Sequence, residues 1–213
     1  ANLLDEGAGD PDGEVHEPLD SAMLADLASL VDDATASFEA FDYARALERT
    51  EAFFWWFCDD YLELVKVRAY GDDGPARSAA NALARALSAL QRLLAPFLPF
   101  ATEEVWSWWM AGSIHRSAWP DGESLRAAAG EWNPSVRAAA SDVTRGGGGA
   151  KSEARRSMKA EVSTATVTDA PDRIAALRDI ESDVRSAGNI AELITLDGEF
   201  AVSVDLVDEA PPV

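Results

Sequence analysis

The sequence predicts a mainly α protein, an antiparallel helical bundle followed by a small β-α-β-β module. Over residues 18–144 apolar residues recur at steps of three and four, the spacing of one helix face. From residue 158 onward apolar and polar residues alternate and β-branched residues become common, which is typical of strands. Four consecutive glycines at 146–149 separate the two patterns.

These patterns divide the chain into four expected segments: a flexible acidic lead-in over 1–17, the helical bundle over 18–145, a Gly-rich joint over 146–150 and a distal α/β module over 151–209. Successive glycines have a high conformational entropy and no side chains to pack. We therefore expect the joint to end the preceding helix. Within the lead-in, residues 1–4 have the composition of a helix stub.

The first two helices carry the longest apolar stripes. Pro18 suits the first turn of a helix, and Asp42 is a good N-cap for a second helix that ends near Gly71. Because Phe53 and Trp56 widen the second apolar face, we expect this helix near the bundle centre. The two stripes are Leu19, Met23, Leu27, Leu30, Ala34 and Phe38, then Tyr43, Leu47, Thr50, Phe54, Phe57, Tyr61 and Leu64.

Prolines mark the remaining helices of the bundle. A third helix begins at Pro75, and Pro96 with Pro99 predicts a bend. Thr102 is expected to cap a short helix over 103–110, and Pro134 begins a last helix that runs to about 144. The predicted stripe of the third helix is Leu83, Leu87, Leu90 and Leu94.

In the distal module the pattern predicts a strand over 158–167, a helix over 171–187 and strands over 190–196 and 200–207. Asp197-Gly198, between the last two strands, is a two-residue hairpin signal. The hypothesis is a small sheet with one helix packed on it.

The net charge of −20 is unusual for 213 residues and is unevenly spread. Residues 1–60 carry 16 acids and 2 bases, residues 61–160 carry 10 acids and 13 bases, and residues 161–213 carry 12 acids and 3 bases. We therefore expect a polyanion to bind the middle segment, residues 61–160. The acidity is typical of adaptation to molar salt, where screening over roughly 3 Å weakens self-repulsion; an ordinary solvated surface is the alternative.

No feature of the sequence indicates a catalytic or metal site. The two histidines have no partner at zinc-ligand spacing, and no phosphate-binding glycine motif follows a strand. Cys58 is the only cysteine, which favours a reducing compartment and, within a helix, a buried apolar role. With no apolar run near the ~20 residues of a membrane span, we expect a cytoplasmic protein.

Adjacent tryptophans cannot all point into one core. Trp56 and Trp106 are expected to pack inside the bundle, whereas one of Trp55, Trp108 and Trp109 should be partly exposed. An exposed indole offers a contact surface for another domain or for a stacked base.

Four blocks of sequence, in order, resemble valyl-tRNA synthetases. They are FFWWFCDDYLELVK at 53–66, LLAPFLPFATEEVW at 93–106, SIH at 113–115 with WP at 119–120, and KSE at 151–153 with SM at 157–158. The resemblance covers residues 18 to about 207. The CDDYLE run favours the valine enzyme over the related isoleucine, leucine and methionine enzymes.

The resemblance implies the anticodon-binding region of a class Ia synthetase that joins valine to tRNA(Val), using ATP and magnesium. It implies no catalytic site and no cofactor in this segment, with tRNA(Val) and the parent chain's catalytic and editing domains as partners. Two departures stand out: the family begins the bundle with a helix before residue 1, and it continues a helix where the glycines at 146–149 lie.

Phosphate contacts require Lys or Arg. The middle segment supplies these residues, and they are densest over 151–159, after the glycines. Glu63 and Lys66 are also spaced for a surface ion pair. The predicted tRNA-binding residues are Lys66, Arg68, Arg77, Lys151, Arg155, Arg156 and Lys159.

Two alternatives stay open: the same region of an isoleucine or leucine enzyme, or an acidic helical domain that binds a basic protein. If the family's first helix is missing, a groove near Phe38, Phe41, Trp55 and Leu62 should be covered by residues 1–17 or by a second copy of the chain.

Overall fold

The computed structural model describes residues 9–207, and the expected helix stub at residues 1–4 lies outside this range. Two units are distinguishable: a bundle unit of Ala1–Tyr61 with Ala69–Trp132, and a distal unit of Leu62–Arg68 with Asn133–Val213. The chain is mostly helical and ends in three short strands, which confirms the predicted fold class.

The predicted helices of the first half occur in the predicted order, and further short elements lie between them. A π-helical turn, Phe57–Tyr61, inserts an extra residue between the second and third helices and shifts the buried face by one position. The elements are α1 (Pro18–Glu39), α2 (Tyr43–Trp56), α3 (Leu62–Ala69), α4 (Gly74–Leu94), α5 (Pro99–Ser107), the 3-10 turn Ile114–Arg116 and α6 (Gly122–Ala129).

Helix α1 is the centre of the bundle unit, and the expectation that α2 occupies this position is wrong. α1 packs against α2, α4 and α6, and its residues are buried on nearly every side over its first four turns. α2 fully buries only Ala46, Thr50 and Phe53. The small side chains between the leucines of α1 allow neighbours on several faces, whereas α2 buries a single face and leaves Trp55 exposed.

The buried face of α4 is made of alanines, so the predicted leucine stripe is also wrong. Leu90 is buried, but Leu87 is 36% exposed and Leu83 and Leu94 are half-buried. Small side chains let two helices approach closely, and α4 packs against α1 in this way. The buried alanines are Ala76, Ala79, Ala82, Ala86 and Ala89.

The start of α5 differs from the prediction, and α6 is an additional helix. α5 begins at Pro99 rather than after Thr102, whose hydroxyl donates to the Leu98 carbonyl 2.9 Å away inside the helix. α6 was not predicted. Its cap is Asp121, which accepts hydrogen bonds from the amides of Glu123 and Ser124, and Gly130 (φ 62°) ends it.

The described part of the lead-in is bound along α4, which corrects the prediction of a flexible segment. The Ser78 hydroxyl accepts the amides of His16 and Glu17, both at 3.1 Å. Asn81 accepts from the Asp10 amide and donates to the Glu14 carbonyl, both at 2.9 Å. A Cβ on Gly9 or Gly13 would collide with Ala80 or Asn81, so the glycines permit this close approach to the helix.

The distal unit adds α7 (Ser135–Glu153), β1 (Val162–Asp169), α8 (Pro171–Asp179), α9 (Glu181–Gly188), β2 (Ile190–Asp197) and β3 (Ala201–Leu206). β1 lies in the middle of the sheet, parallel to β2 and antiparallel to β3. A parallel pair needs a crossover, which α8 and α9 supply. The single predicted helix is interrupted at Ile180.

The predicted hairpin between the last two strands is wrong. β2 and β3 lie on opposite edges of β1, and the chain between them crosses the end of that strand. The Gly198 amide donates to the Asp169 carbonyl at 3.0 Å, which fixes the crossing. Asp197-Gly198 therefore marks a change of chain direction. It does not determine which strand β3 pairs with, and that strand is β1.

The glycines at 146–149 do not form a joint, because α7 continues through them to Glu153. The expectation that they end the helix is wrong, since tertiary contacts override the weak helix propensity. A Cβ on Gly146 would lie 2.8 Å from Val202 Cβ, so β3 packs directly on the helix backbone here. A Cβ on Gly147 or Gly149 would meet nothing within 4 Å.

Alanine substitutions at adjacent glycines should have opposite effects. We expect Gly147→Ala to stabilise the distal unit by about 0.5–1 kcal/mol, because it lowers the entropy cost of the helix without a clash. Gly146→Ala should instead destabilise it, since the new methyl group collides with Val202. Urea unfolding of both variants measures the difference, and equal effects of the same sign would contradict the packing described.

Candidate nucleic-acid interface

Two of the predicted cations, Lys66 and Arg77, are exposed on helices. Lys66 lies on α3, where its ammonium is 3.2 Å from Glu63 Oε1, so the predicted surface ion pair is confirmed. Arg77 lies in the first turn of α4 and donates to the Asp72 carbonyl at 3.1 Å. Exposed ion pairs contribute little to stability, so Lys66 is free to exchange its partner for a phosphate.

Arg68 has a structural role in the distal unit. Its Nε and Nη2 donate to the two carboxylate oxygens of Asp183 at 2.9 and 3.0 Å. The side chains are only 11% and 8% exposed. This buried bidentate pair fixes the guanidinium in place. Arg68 is therefore not on the surface, although the sequence predicted it to be a tRNA contact.

Lys151 is likewise enclosed, with 3% of the residue exposed near the end of α7. Its ammonium donates to the carbonyls of Met158 and Gly188 at 3.1 and 2.8 Å. Burial lowers the pKa of Lys151 because the charged form loses hydration. The side chain ties the segment after α7 to the end of α9, so it too is not presented on the surface.

The remaining cations lie in the segment 155–159, here called the basic loop. Arg155 is exposed and adopts a left-handed conformation (φ 53°), and the Arg156 amide donates to the Lys151 carbonyl at 2.9 Å. This pattern is the Schellman motif that ends a helix. Arg156 Nη2 donates to the Val207 carbonyl at 2.9 Å, whereas Lys159 is exposed. The helix end thus projects Arg155 and Lys159 outward.

The bundle unit carries exposed aromatic side chains. Trp55 and Trp108 are 59% and 60% exposed, which confirms that adjacent tryptophans do not all face the core. Trp106 is buried, and Trp56 is half-buried against Phe53 and Tyr61. Each exposed indole is a flat apolar surface of the kind on which bases stack.

A cleft that the sequence did not predict lies between the end of α4 and the loop before α6. It has a volume of about 190 Å³. The sequence signals for it are Arg92, which is not part of the predicted leucine stripe, and Trp119, which lies in one of the blocks that resemble the synthetases. Its lining includes Arg92, Ala95, Pro96, His115, Ser117 and Trp119.

The described residues contain neither a cluster of metal ligands nor a membrane-spanning helix. Among residues 9–207 no three His, Cys, Asp or Glu side chains are grouped as metal ligands. In the same range no helix is long and apolar enough to cross a bilayer. Burial is the larger cause that raises the pKa of the Cys58 thiol, and the negative charge of Asp59 is the smaller one. The reactive thiolate is therefore disfavoured.

Comparison with known proteins shows the family to which the chain is similar. A family model described as the anticodon-binding domain of tRNA ligase matches residues 20–166. The valine–tRNA ligase of Thermobifida fusca is 53% identical over 196 residues, covering 90% of this chain and 22% of that protein. Those of Salinispora tropica and Leifsonia xyli subsp. xyli are 48% and 43% identical, covering 90% and 93% of this chain and 24% and 23% of theirs. The chain thus spans under a quarter of the length of these curated relatives.

Proposed function

The chain belongs to the anticodon-binding domains of tRNA ligases, and we propose on that premise that it binds the anticodon region of tRNA(Val) for a valine–tRNA ligase. The observation that carries this is the family match over residues 20–166, which includes Lys66, Arg77 and the basic loop. Valine–tRNA ligases among the relatives support the valine enzyme over the isoleucine and leucine enzymes.

The proposed contacts are the exposed cations Lys66, Arg77, Arg155 and Lys159, with a smaller contribution from Arg156. Lys66 and Arg77 lie on helices, and Arg155, Arg156 and Lys159 lie in the basic loop that follows α7. Arg68 and Lys151 act instead through the distal unit, because their contacts hold its segments in place.

Salt dependence of tRNA(Val) binding tests this function. We expect the affinity of the full chain to fall steeply between about 0.1 and 0.5 M KCl, because each phosphate contact adds roughly 0.7–0.9 to the log–log slope. The double variant Arg155→Gly/Lys159→Gln should lower that slope by about 1.5. Glycine suits the left-handed backbone at 155, so the fold is retained.

Arg145→Gln is the control, since Arg145 is exposed on α7, the helix that precedes the basic loop, and pairs with Asp142 at 3.2 Å. It should leave the slope unchanged. Absence of tRNA binding, together with salt-sensitive binding of a basic protein, would favour the acidic interaction domain instead. Equal competition by tRNA(Ile) or tRNA(Leu) would favour those enzymes.

For the complete protein, we propose a cytoplasmic ligase in which other domains carry the catalytic and editing sites and bind ATP and magnesium. The curated relatives, four times longer or more, support this assignment. The present chain alone should show no valine-dependent pyrophosphate exchange. Turnover in that assay would place a catalytic site in this segment.

The acidic surface is proposed to be an adaptation to high salt. With a net charge of −20, repulsion among surface carboxylates opposes the folded state at low ionic strength. We expect the melting temperature to rise strongly between about 0.1 and 2 M KCl as this repulsion is screened. A midpoint that stays flat or falls would indicate an ordinary acidic surface.

Self-association is a further part of the proposal. Phe41, Tyr43 and Trp55 are 79%, 49% and 59% exposed, and Phe41 and Tyr43 form an edge contact with ring centroids 6.4 Å apart. Residues 9–17 lie along α4 through Asn81 and Ser78. A second copy is therefore the proposed cover for these aromatics, and sedimentation in molar salt checks it: a monomer at all concentrations contradicts it.

A further inference from the structure

The guanidinium of Arg92 is held in place without a neutralising carboxylate. Its Nε and Nη2 donate to the carbonyl and hydroxyl of Ser88 at 3.0 and 3.1 Å, and Nη1 donates to the Ala118 carbonyl at 3.2 Å. Within residues 9–207 it takes part in no ion pair. Three of its five N–H donors are used, which leaves one on each terminal nitrogen.

This arrangement is unusual in a chain with 38 acids and 18 lysines and arginines. Burial lowers the pKa of Arg92, because the charge has lost part of its hydration and no anion replaces it. A partly dehydrated cation with free donors binds an anion more strongly than a solvated surface arginine does.

The wall of the cleft beside Arg92 is a tryptophan in a fixed orientation. Trp119 Nε1 donates to Thr35 Oγ1 at 2.9 Å, and its ring packs edge-on against Phe38 with centroids 5.2 Å apart. The residue is still 37% exposed. His115 and Ser117 also line the cleft, so two further polar side chains lie in it besides the cation.

A carboxylate lies close to one side of the cleft. Glu103 Oε2 accepts the Ile114 amide and the Ser113 hydroxyl, both at 3.0 Å, and is 4.0 Å from His115 Nε2. These contacts occupy that oxygen, and Glu103 is not part of the lining. The anion-binding side is therefore the one formed by Arg92 and Trp119.

We propose that this cleft binds one phosphate group of the tRNA, with Arg92 contacting the phosphate and Trp119 stacking on an adjacent unpaired base. Stacking on an indole together with a cation on the backbone is how single-stranded RNA is held without sequence readout. The inference rests on the proposed tRNA-binding function, to which it adds a specific site outside the cations considered above.

Removal of one phosphate contact has a distinct signature. Arg92→Gln should weaken binding of a tRNA(Val) transcript about tenfold or more. It should also lower the log–log salt slope by roughly 0.7–0.9, the contribution of one phosphate. Trp119→Leu should weaken binding about tenfold with the slope unchanged, because stacking releases no counterion.

The control is Arg126→Gln, which removes one positive charge from the same unit at a residue paired with Asp32. It should change neither affinity nor slope. Arg92→Lys keeps the charge and should keep the slope, which preserves the test if Arg92→Gln fails to fold. Titration with inorganic phosphate should shift the Trp119 indole resonance, identified by its loss in Trp119→Leu.

The outcomes separate the site from the function. If the wild-type chain does not bind tRNA(Val), the proposed function is wrong, and the cleft is then not an RNA site either. If the wild-type chain binds but Arg92→Gln retains its full affinity and slope, the function stands and the cleft is not the contact. If phosphate shifts Trp119 while tRNA does not, the cleft serves a small phosphorylated molecule and the RNA proposal is overturned.

Discussion

Replacing Arg68 by methionine is expected to destabilise the distal unit by about 3–5 kcal/mol, because it leaves the buried carboxylate of Asp183 without its partner. Both side chains are nearly enclosed, and the pair makes two hydrogen bonds of 2.9 and 3.0 Å. Denaturant unfolding, followed by a probe in the distal unit, measures this loss.

Lys66→Met is the matched control, since it removes a cation from the same helix whose partner, Glu63, is exposed. Its effect should stay within about 0.5 kcal/mol. The double variant Arg68→Met/Asp183→Leu should recover much of the stability, because no unpaired charge remains. If Arg68→Met lowers the free energy of unfolding no more than Lys66→Met does, Arg68 is a surface residue and is again a candidate RNA contact.

Asp20→Ala should destabilise the bundle unit by about 2–4 kcal/mol, since two buried hydroxyls lose their acceptor. Asp20 is fully buried in α1 and accepts the Tyr61 hydroxyl at 2.8 Å and the Ser78 hydroxyl at 2.7 Å. The Ser78 oxygen in turn receives the amides of His16 and Glu17. Faster hydrogen exchange at these two amides should therefore accompany the lower melting temperature.

Asp33→Ala is the comparison for Asp20→Ala, because it removes an exposed acid from the same helix. It should be nearly neutral, or slightly stabilising in a chain of net charge −20. Tyr61→Phe, which removes only one of the two hydrogen bonds, should cost about 1 kcal/mol. Equal melting temperatures for Asp20→Ala and Asp33→Ala would rule out the buried network as a source of stability.

The helices could be predicted where their signals are local. Pro18, Asp42 and Pro75 mark helix starts through a fixed φ or a capping carboxylate, and each lies within one residue of an observed start. Burial was predicted less well, because both leucine and alanine can face a core. In α4 the alanines do so, since a close helix approach is what the neighbour requires.

Features that depend on distant partners were missed. Arg68 and Lys151 look like surface cations in sequence, but Asp183 lies 115 residues from the first and Gly188 lies 37 residues from the second. The glycines of α7 are helical because Val202 lies against Gly146, and nothing local indicates this. The cleft was missed for the same reason: Arg92 reaches Ala118, 26 residues away, and Trp119 reaches Thr35, 84 residues away.

The segment Leu62–Arg68 has a consequence for synthesis on the ribosome, because its partners in the distal unit come much later in the chain. Leu64 and Val65 are each 1% exposed in the folded chain. At about 5–20 residues per second, the 115 residues between Arg68 and Asp183 take roughly 6–23 s to translate. During this interval the nascent chain carries an apolar segment and a cation that have no final partners. A ribosome that stalls before Asp183 therefore leaves a chain whose apolar segment is unpacked. Chaperones and proteases can recognise such a segment.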